Sequence, residues 1–205
     1  MLRLPNLSPD HMSQEQRRIY EEVVASRGTW QNGPFSQLIY QPRIAEPTHR
    51  LGEFIRYHTS LVPRLSEFAI LIVARHWDCS LEWYIHAPIA MQNGVDAAVV
   101  ESIDRGQRPV GLSKDESVVY DYATSSLEKH EVSDELYANA ARLFGTVGVV
   151  ELTSLLGYYS MLALSLNAHR ALPPDNAQTV LTPRQRLDPV RVALSLCEDG
   201  SSRGP

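Results

Sequence analysis

The chain has little cysteine, no excess of basic charge and no run of alternating polar and apolar residues bounded by hairpin turns. Cys79 and Cys197 are the only cysteines in 205 residues. Two thiols so far apart give no disulfide framework, which suits a reducing compartment and leaves Cys79 as a free thiol. Nineteen Lys and Arg against 24 Asp and Glu leave a net charge of −5, and the basic residues are scattered. Binding a phosphate backbone needs a basic patch, so nucleic acid is not an expected partner. A small anionic substrate stays compatible, because a local field can oppose net charge. The opening Met1-Leu2-Arg3-Leu4-Pro5-Asn6 lacks the apolar core of a signal peptide, and a cytoplasmic location is expected. With no strand pattern to set against abundant helix signals, the expected fold class is all-α. An apolar fraction of 43% in a chain of this length supplies a core without disulfide or metal support.

Helix punctuation is regular. Ser13 and Gln16 have capping-box spacing, opening a helix that shows Ile19, Val23 and Val24 on one face and stops near Gly28. A turn through Gln31-Asn32-Gly33-Pro34 leads to a short apolar piece, Phe35 to Tyr40, closed by Pro42. The next helix is expected from about Pro47 to His58, burying Leu51, Phe54 and Ile55. Pro63 opens a helix to about His76 with a wide apolar surface. Asp78 is read as the N-cap of another, from Cys79 to about Gln92, ended by Asn93-Gly94, so the two form a tight hairpin around Trp77. Further helices are expected over Asp96 to Asp104, from the Ser113/Glu116 capping box to about Lys129, from Ser133 to near Gly145, and over Val147 to His169. The last is long and apolar, but Glu151, Ser154, Ser160, Ser165 and Asn167 interrupt it, which favours a central or interface helix over a membrane span. These elements place a helical domain over residues 1–172. Residues 173–205 read as a polar, proline-punctuated arm or tail, in which Val190 to Cys197 has the pattern of a short docking helix.

Chemistry concentrates in the hairpin. Residues three and seven positions past Cys79 return to nearly the same helix face, which puts Cys79, Glu82 and His86 in one stripe, and Glu67 faces them from the preceding helix. Cys79 and His86 are about 10.5 Å apart along the axis, too far for a direct hydrogen bond. A Glu82–His86 or Glu67–His86 dyad is favoured instead. A carboxylate beside histidine fixes its tautomer and raises its pKa, which suits proton transfer near neutral pH. The first-turn position of Cys79 favours thiolate. Pro88 removes a helix hydrogen bond beside His86. His58 and His76 flank the hairpin without metal-ligand spacing, so no metal site is expected.

Asn32-Gly33-Pro34-Phe35, Leu51-Gly52-Glu53-Phe54-Ile55-Arg56-Tyr57, Pro63 through Leu71, Ala74-Arg75-His76-Trp77-Asp78-Cys79, Glu82-Trp83 and His86 together resemble the carboxymuconolactone decarboxylase/alkylhydroperoxidase D-like superfamily in order and spacing. The resemblance runs through Gly94 and more loosely to the Tyr158–Asn167 stretch. It implies a compact all-helical fold with a central helical hairpin, assembly as trimers or hexamers, and a site near the hairpin, often close to a subunit interface. It also implies one of two chemistries: cofactor-free decarboxylation, or thiol peroxidase and disulfide reductase chemistry. The peroxidase branch carries a second cysteine three residues after the first, where this chain has Glu82. That departure removes the local disulfide that resolves a sulfenic acid and replaces it with an acid/base group. The decarboxylase histidine falls on His86. The expected function is therefore a cofactor-independent lyase, a decarboxylase of a small oxygenated carboxylate or lactone, with His86, Glu67, Glu82 and Cys79 at its site. Arg64, Arg75, His58, Tyr158 and Asn167 are weaker candidates for substrate binding. The alternatives are a thiol-dependent peroxidase using Cys79 and a non-catalytic ligand-binding oligomer.

Overall fold

The computed structural model describes residues 2–28 and 33–184, and within them the chain forms helices and turns with no strand. Helix α1 (Gln14–Arg27) opens on the expected capping box. The Gln16 amide donates to Ser13 Oγ at 3.2 Å and the Ser13 amide donates to Gln16 Oε1 at 2.9 Å, so two amides that a helix start leaves without partners are satisfied. It stops at Gly28, whose φ of 71° lies in the left-handed region that glycine enters freely. After α2 (Phe35–Leu38) comes α3 (Pro42–Tyr57). Here two expectations are corrected. Pro42 opens the helix at its first position, where a missing N–H costs nothing, and Pro47 lies inside it. Moreover Leu51 and Phe54 are exposed, because the inward face of α3 is Ala45, Thr48, His49, Gly52 and Ile55.

Gly52 stands on that inward face for a steric reason. A Cβ added at Gly52 would lie 1.9 Å from Tyr158 Oη, so only glycine lets α3 close onto the helix that carries Tyr158.

Helix α4 (Pro63–His76) is the centre of the molecule, with every residue from Leu65 to Arg75 buried. It packs against α5 (Ser80–Gln92), α6 (Ala97–Asp104), α7 (Lys114–Thr124) and α8 (Asp134–His169). A helix apolar on all sides is stable only when enclosed in this way. Between α4 and α5 the chain turns in three residues. Asp78, expected as the N-cap of α5, instead takes a left-handed φ of 48° and pairs with Arg75 at 2.8 Å, and Cys79 is the N-cap. Helix α7 begins at the Ser113/Glu116 capping box and continues into a π-helical turn, Ser125–Lys129.

Helix α8 is broken at Gly145 (φ 69°, ψ 173°), so residues 134–144 and 146–169 act as two helices, matching the expected boundary. By length and composition it is apolar enough to cross a membrane, yet 56% of its most apolar stretch is buried within the protein. Its polar residues have tasks there: Glu151 accepts from the Ser60 amide at 2.8 Å, and Thr153 pairs with the Tyr122 hydroxyl at 2.8 Å. Beyond α8 the chain straps back across α4 and α6. Leu181 is buried, and Arg75 Nη1 donates to the Thr182 carbonyl at 2.7 Å. Cys197 and the Val190 to Cys197 stretch lie outside the described residues.

Candidate active site

The hairpin delivers three ionisable side chains to one buried point. Glu67 on α4 and Glu82 and His86 on α5 are all at most 5% exposed. His86 Nδ1 is 2.6 Å from Glu67 Oε2, and its Nε2 is 3.3 Å from Glu82 Oε2. The first contact is a short hydrogen bond and the second an ion-pair contact between residues one turn apart on α5. Each ring nitrogen thus faces a carboxylate. Burial is the largest influence on the imidazole and disfavours its charged form, but the two carboxylates together outweigh it and raise the pKa of His86 above its ordinary value. Tyr159 closes the ring edge-on at 5.2 Å between centroids. Its hydroxyl is pushed well above the phenol range, first by burial and then by Glu82, so it is a neutral wall.

Glu82, His86 and Tyr159 line a cavity of about 470 Å³, together with Phe35, Ile85, Ile89 and Leu162. Glu67 is not in its wall. It braces His86 from the core side, while Glu82 stands at the surface of the cavity.

Cys79 is the principal correction. Its side chain is fully buried in a dry cluster with Leu81, Ala163 and Leu166, and it takes no part in the cavity wall. Burial pushes the thiol up to about 12, nearby Glu82 pushes the same way, and the amides of Glu82 and Leu81 oppose both without prevailing. The helix-start effect invoked for thiolate is present, and desolvation defeats it. Of the first turn of α5 only Glu82 lines the cavity, whose wall on this helix runs from Glu82 to Ile89.

The weaker candidates separate. Arg64 pairs with Asp115 and Glu116 at the start of α7. Arg75 is held by Asp78 and by the carbonyls of Asp104 and Thr182. Both have structural partners because each sits where helix ends converge, away from the cavity. His58 is an exposed helix end. Asn167 donates to the Trp77 carbonyl at 2.7 Å and pins the hairpin turn. Tyr158 is buried behind Tyr159, with ring centroids 5.3 Å apart, and its hydroxyl is pushed to about 12 by burial despite Arg27 beside it.

Two residues missed by sequence reasoning do line the cavity: Arg27 from the end of α1 and Arg56 from the end of α3. Arg27 lies 4.8 Å over the Phe35 ring. Its Nε and Nη2, Tyr158 Oη and Glu82 Oε1 are buried with no hydrogen-bond partner. Arg27 is close enough to the Tyr158 hydroxyl to oppose the effect of burial on it. Buried polar atoms without partners cost about 1–3 kcal/mol each, so a group of them around one cavity marks a place where a ligand or water completes the set. In sequence, Arg27 reads only as a basic last-turn residue, which favours any helix C-terminus.

No protein-family model matches the chain, and no curated protein matches it. Solved structures share its fold, among them the following two. One is an alkylhydroperoxidase AhpD core, an uncharacterized peroxidase-related protein from Ralstonia eutropha JMP134, at 13% identity and a TM-score of 0.68 over 85% of this chain and 93% of that one. The other is an uncharacterized peroxidase-related protein from Silicibacter sp. TM1040, at 13% identity and a TM-score of 0.69 over 88% and 96%. The helical fold implied by the family resemblance is therefore the fold the chain has.

Proposed function

We propose that the protein is a cofactor-independent acid/base enzyme, a lyase that decarboxylates a small oxygenated carboxylate, with His86 as the proton donor. The observation that carries this reading is His86 itself, held between Glu67 and Glu82 at the wall of a cavity. In the proposed step the bond to the departing carboxylate breaks and carbon dioxide leaves. The electron pair stays on carbon, spread onto an adjacent carbonyl of the substrate. The His86 imidazolium then donates its Nε2 proton to that carbon, and the neutral ring is recharged from water by way of Glu82. Glu67 is a positioning residue, fixing the ring through Nδ1. Elimination, hydration and isomerisation use the same parts, and a substrate screen separates them.

The names of the two structural neighbours favour a second reading, thiol peroxidase chemistry. Against it stand the dry, weakly acidic Cys79 and the carboxylate of Glu82 where a resolving thiol is needed. The two readings rank two variants oppositely. His86→Ala is expected to lose about 10²–10⁴-fold in turnover, the usual contribution of a general acid. Cys79→Ser keeps its rate within about threefold, because the sulfur is outside the cavity. The reverse ranking, or thiol-dependent turnover of a hydroperoxide, establishes the peroxidase. Binding without turnover in either assay leaves a ligand-binding protein.

The same proposal includes assembly into a homo-oligomer, a trimer or hexamer. Ile44, Leu51, Phe54 and Tyr57 on α3 are exposed, as are Val147, Val150 and Leu164 on α8, and a second copy of the chain is the occupant that fits them. Light scattering that returns the mass of a monomer at micromolar concentration overturns this part.

A further inference from the structure

We propose that Arg27, with Arg56 beside it, forms a carboxylate-binding subsite of the cavity, so that the ligand enters with an anionic end on α1 and α3 and its reacting end on α5. This deepens the proposed function and rests on it for the use to which binding is put. The evidence for binding is separate.

The two nitrogens of Arg27 that lack partners are Nε and Nη2. They belong to one edge of the guanidinium, where two N–H bonds run side by side at the spacing of two carboxylate oxygens. The Arg27 guanidinium carbon lies 4.8 Å from the centroid of the Phe35 ring, a cation–π contact that helps hold the group at the cavity. Arg56 has no acidic partner within ion-pair distance among the described residues, and its guanidinium lies 5.4 Å over the Tyr57 ring. Two cations without counter-ions on one cavity are a site for an anion. The same cavity presents an unpartnered acceptor, Glu82 Oε1, and an apolar wall that includes Ile85, Ile89 and Leu162. A compact carboxylate with an apolar or ring-shaped body and one hydroxyl matches that lining.

The test is titration calorimetry on the full chain with 4-hydroxybenzoate, 4-hydroxybenzamide and inorganic phosphate as probes. The benzoate is expected to bind at least tenfold more tightly than the amide, which has the same shape without the charge. Arg27→Gln is expected to weaken benzoate binding about 10- to 100-fold with no change for the amide, as befits loss of a charge-assisted bidentate contact. Arg27→Lys keeps the charge but not the paired edge and is expected to recover only part of the loss. Arg56→Gln is expected to weaken binding less. A thermal melt of each variant shows that the fold is retained, and Arg27→Lys carries the test if Arg27→Gln does not fold. Equal affinity for benzoate and amide, undiminished benzoate binding in both Arg27 variants, or no benzoate binding up to 10 mM overturns the subsite. Preference for phosphate over benzoate overturns its carboxylate assignment. If the subsite holds and no carboxylate is turned over, the lyase reading fails alone.

Discussion

The thiol at the start of α5 and the imidazole at its middle are both buried, and their surroundings treat them oppositely. At the helix start, Cys79 is sealed among Leu81, Ala163 and Leu166 with its thiol pushed up to about 12. Two turns on, His86 is as deeply buried but sits between two carboxylates and at a cavity wall. Burial acts on both. The thiol has no counter-charge, so desolvation drives it to the neutral state, and the imidazole has two, so desolvation loses. Depth alone does not decide whether an ionisable group is available for chemistry. Its partners do.

The comparison breaks first at the thiol. Cys79 in the folded protein is expected to react with iodoacetamide at pH 8 about a thousandfold more slowly than in the urea-unfolded chain, because its thiolate is scarce and its sulfur enclosed. Labelling followed by mass spectrometry reads this directly, and labelling at the unfolded rate would make the thiol a credible nucleophile.

A second break targets the cavity's back wall. Gly52→Ala places a methyl group where Tyr158 Oη sits and 2.9 Å from Arg27 Nη2. Overpacking of this kind costs about 1–3 kcal/mol. Denaturant unfolding is expected to show that loss, with weakened ligand binding because the displaced Arg27 lines the cavity.

The smallest expected effect is on the pH dependence of stability. The folded pKa of His86 is raised, so its contribution to stability is fully present below its ordinary 6.5 and is lost as pH rises through the folded value. His86→Gln is expected to flatten the unfolding free energy across that window and to leave its slope elsewhere unchanged.

Much of this was legible in sequence. The capping boxes at Ser13 and Ser113, the break at Gly145 and the hairpin around Trp77 follow from local rules, and so does the one-turn pairing of Glu82 with His86. What sequence did not reveal depends on what packs against what. Asn167 and Arg75 read as ligand-binding groups because their partners, the Trp77 carbonyl and the returning strap at Thr182, are remote in sequence. Arg27 was invisible for the converse reason. Its importance lies in lacking a partner at a cavity that α1, α3 and α5 make together. The stripe of Leu51 and Phe54 was taken for a core face, whereas the small-residue face at Gly52 is the one that packs.

The central claim is that Glu67 and Glu82 hold His86 in its protonated form at neutral pH, and the direct measurement is the titration of the His86 imidazole by NMR in the wild-type protein and in Glu67→Gln. A wild-type pKa above the ordinary 6.5 is expected, with a fall in Glu67→Gln, where burial meets one carboxylate fewer. A wild-type value at or below 6.5, unmoved by the substitution, would contradict it.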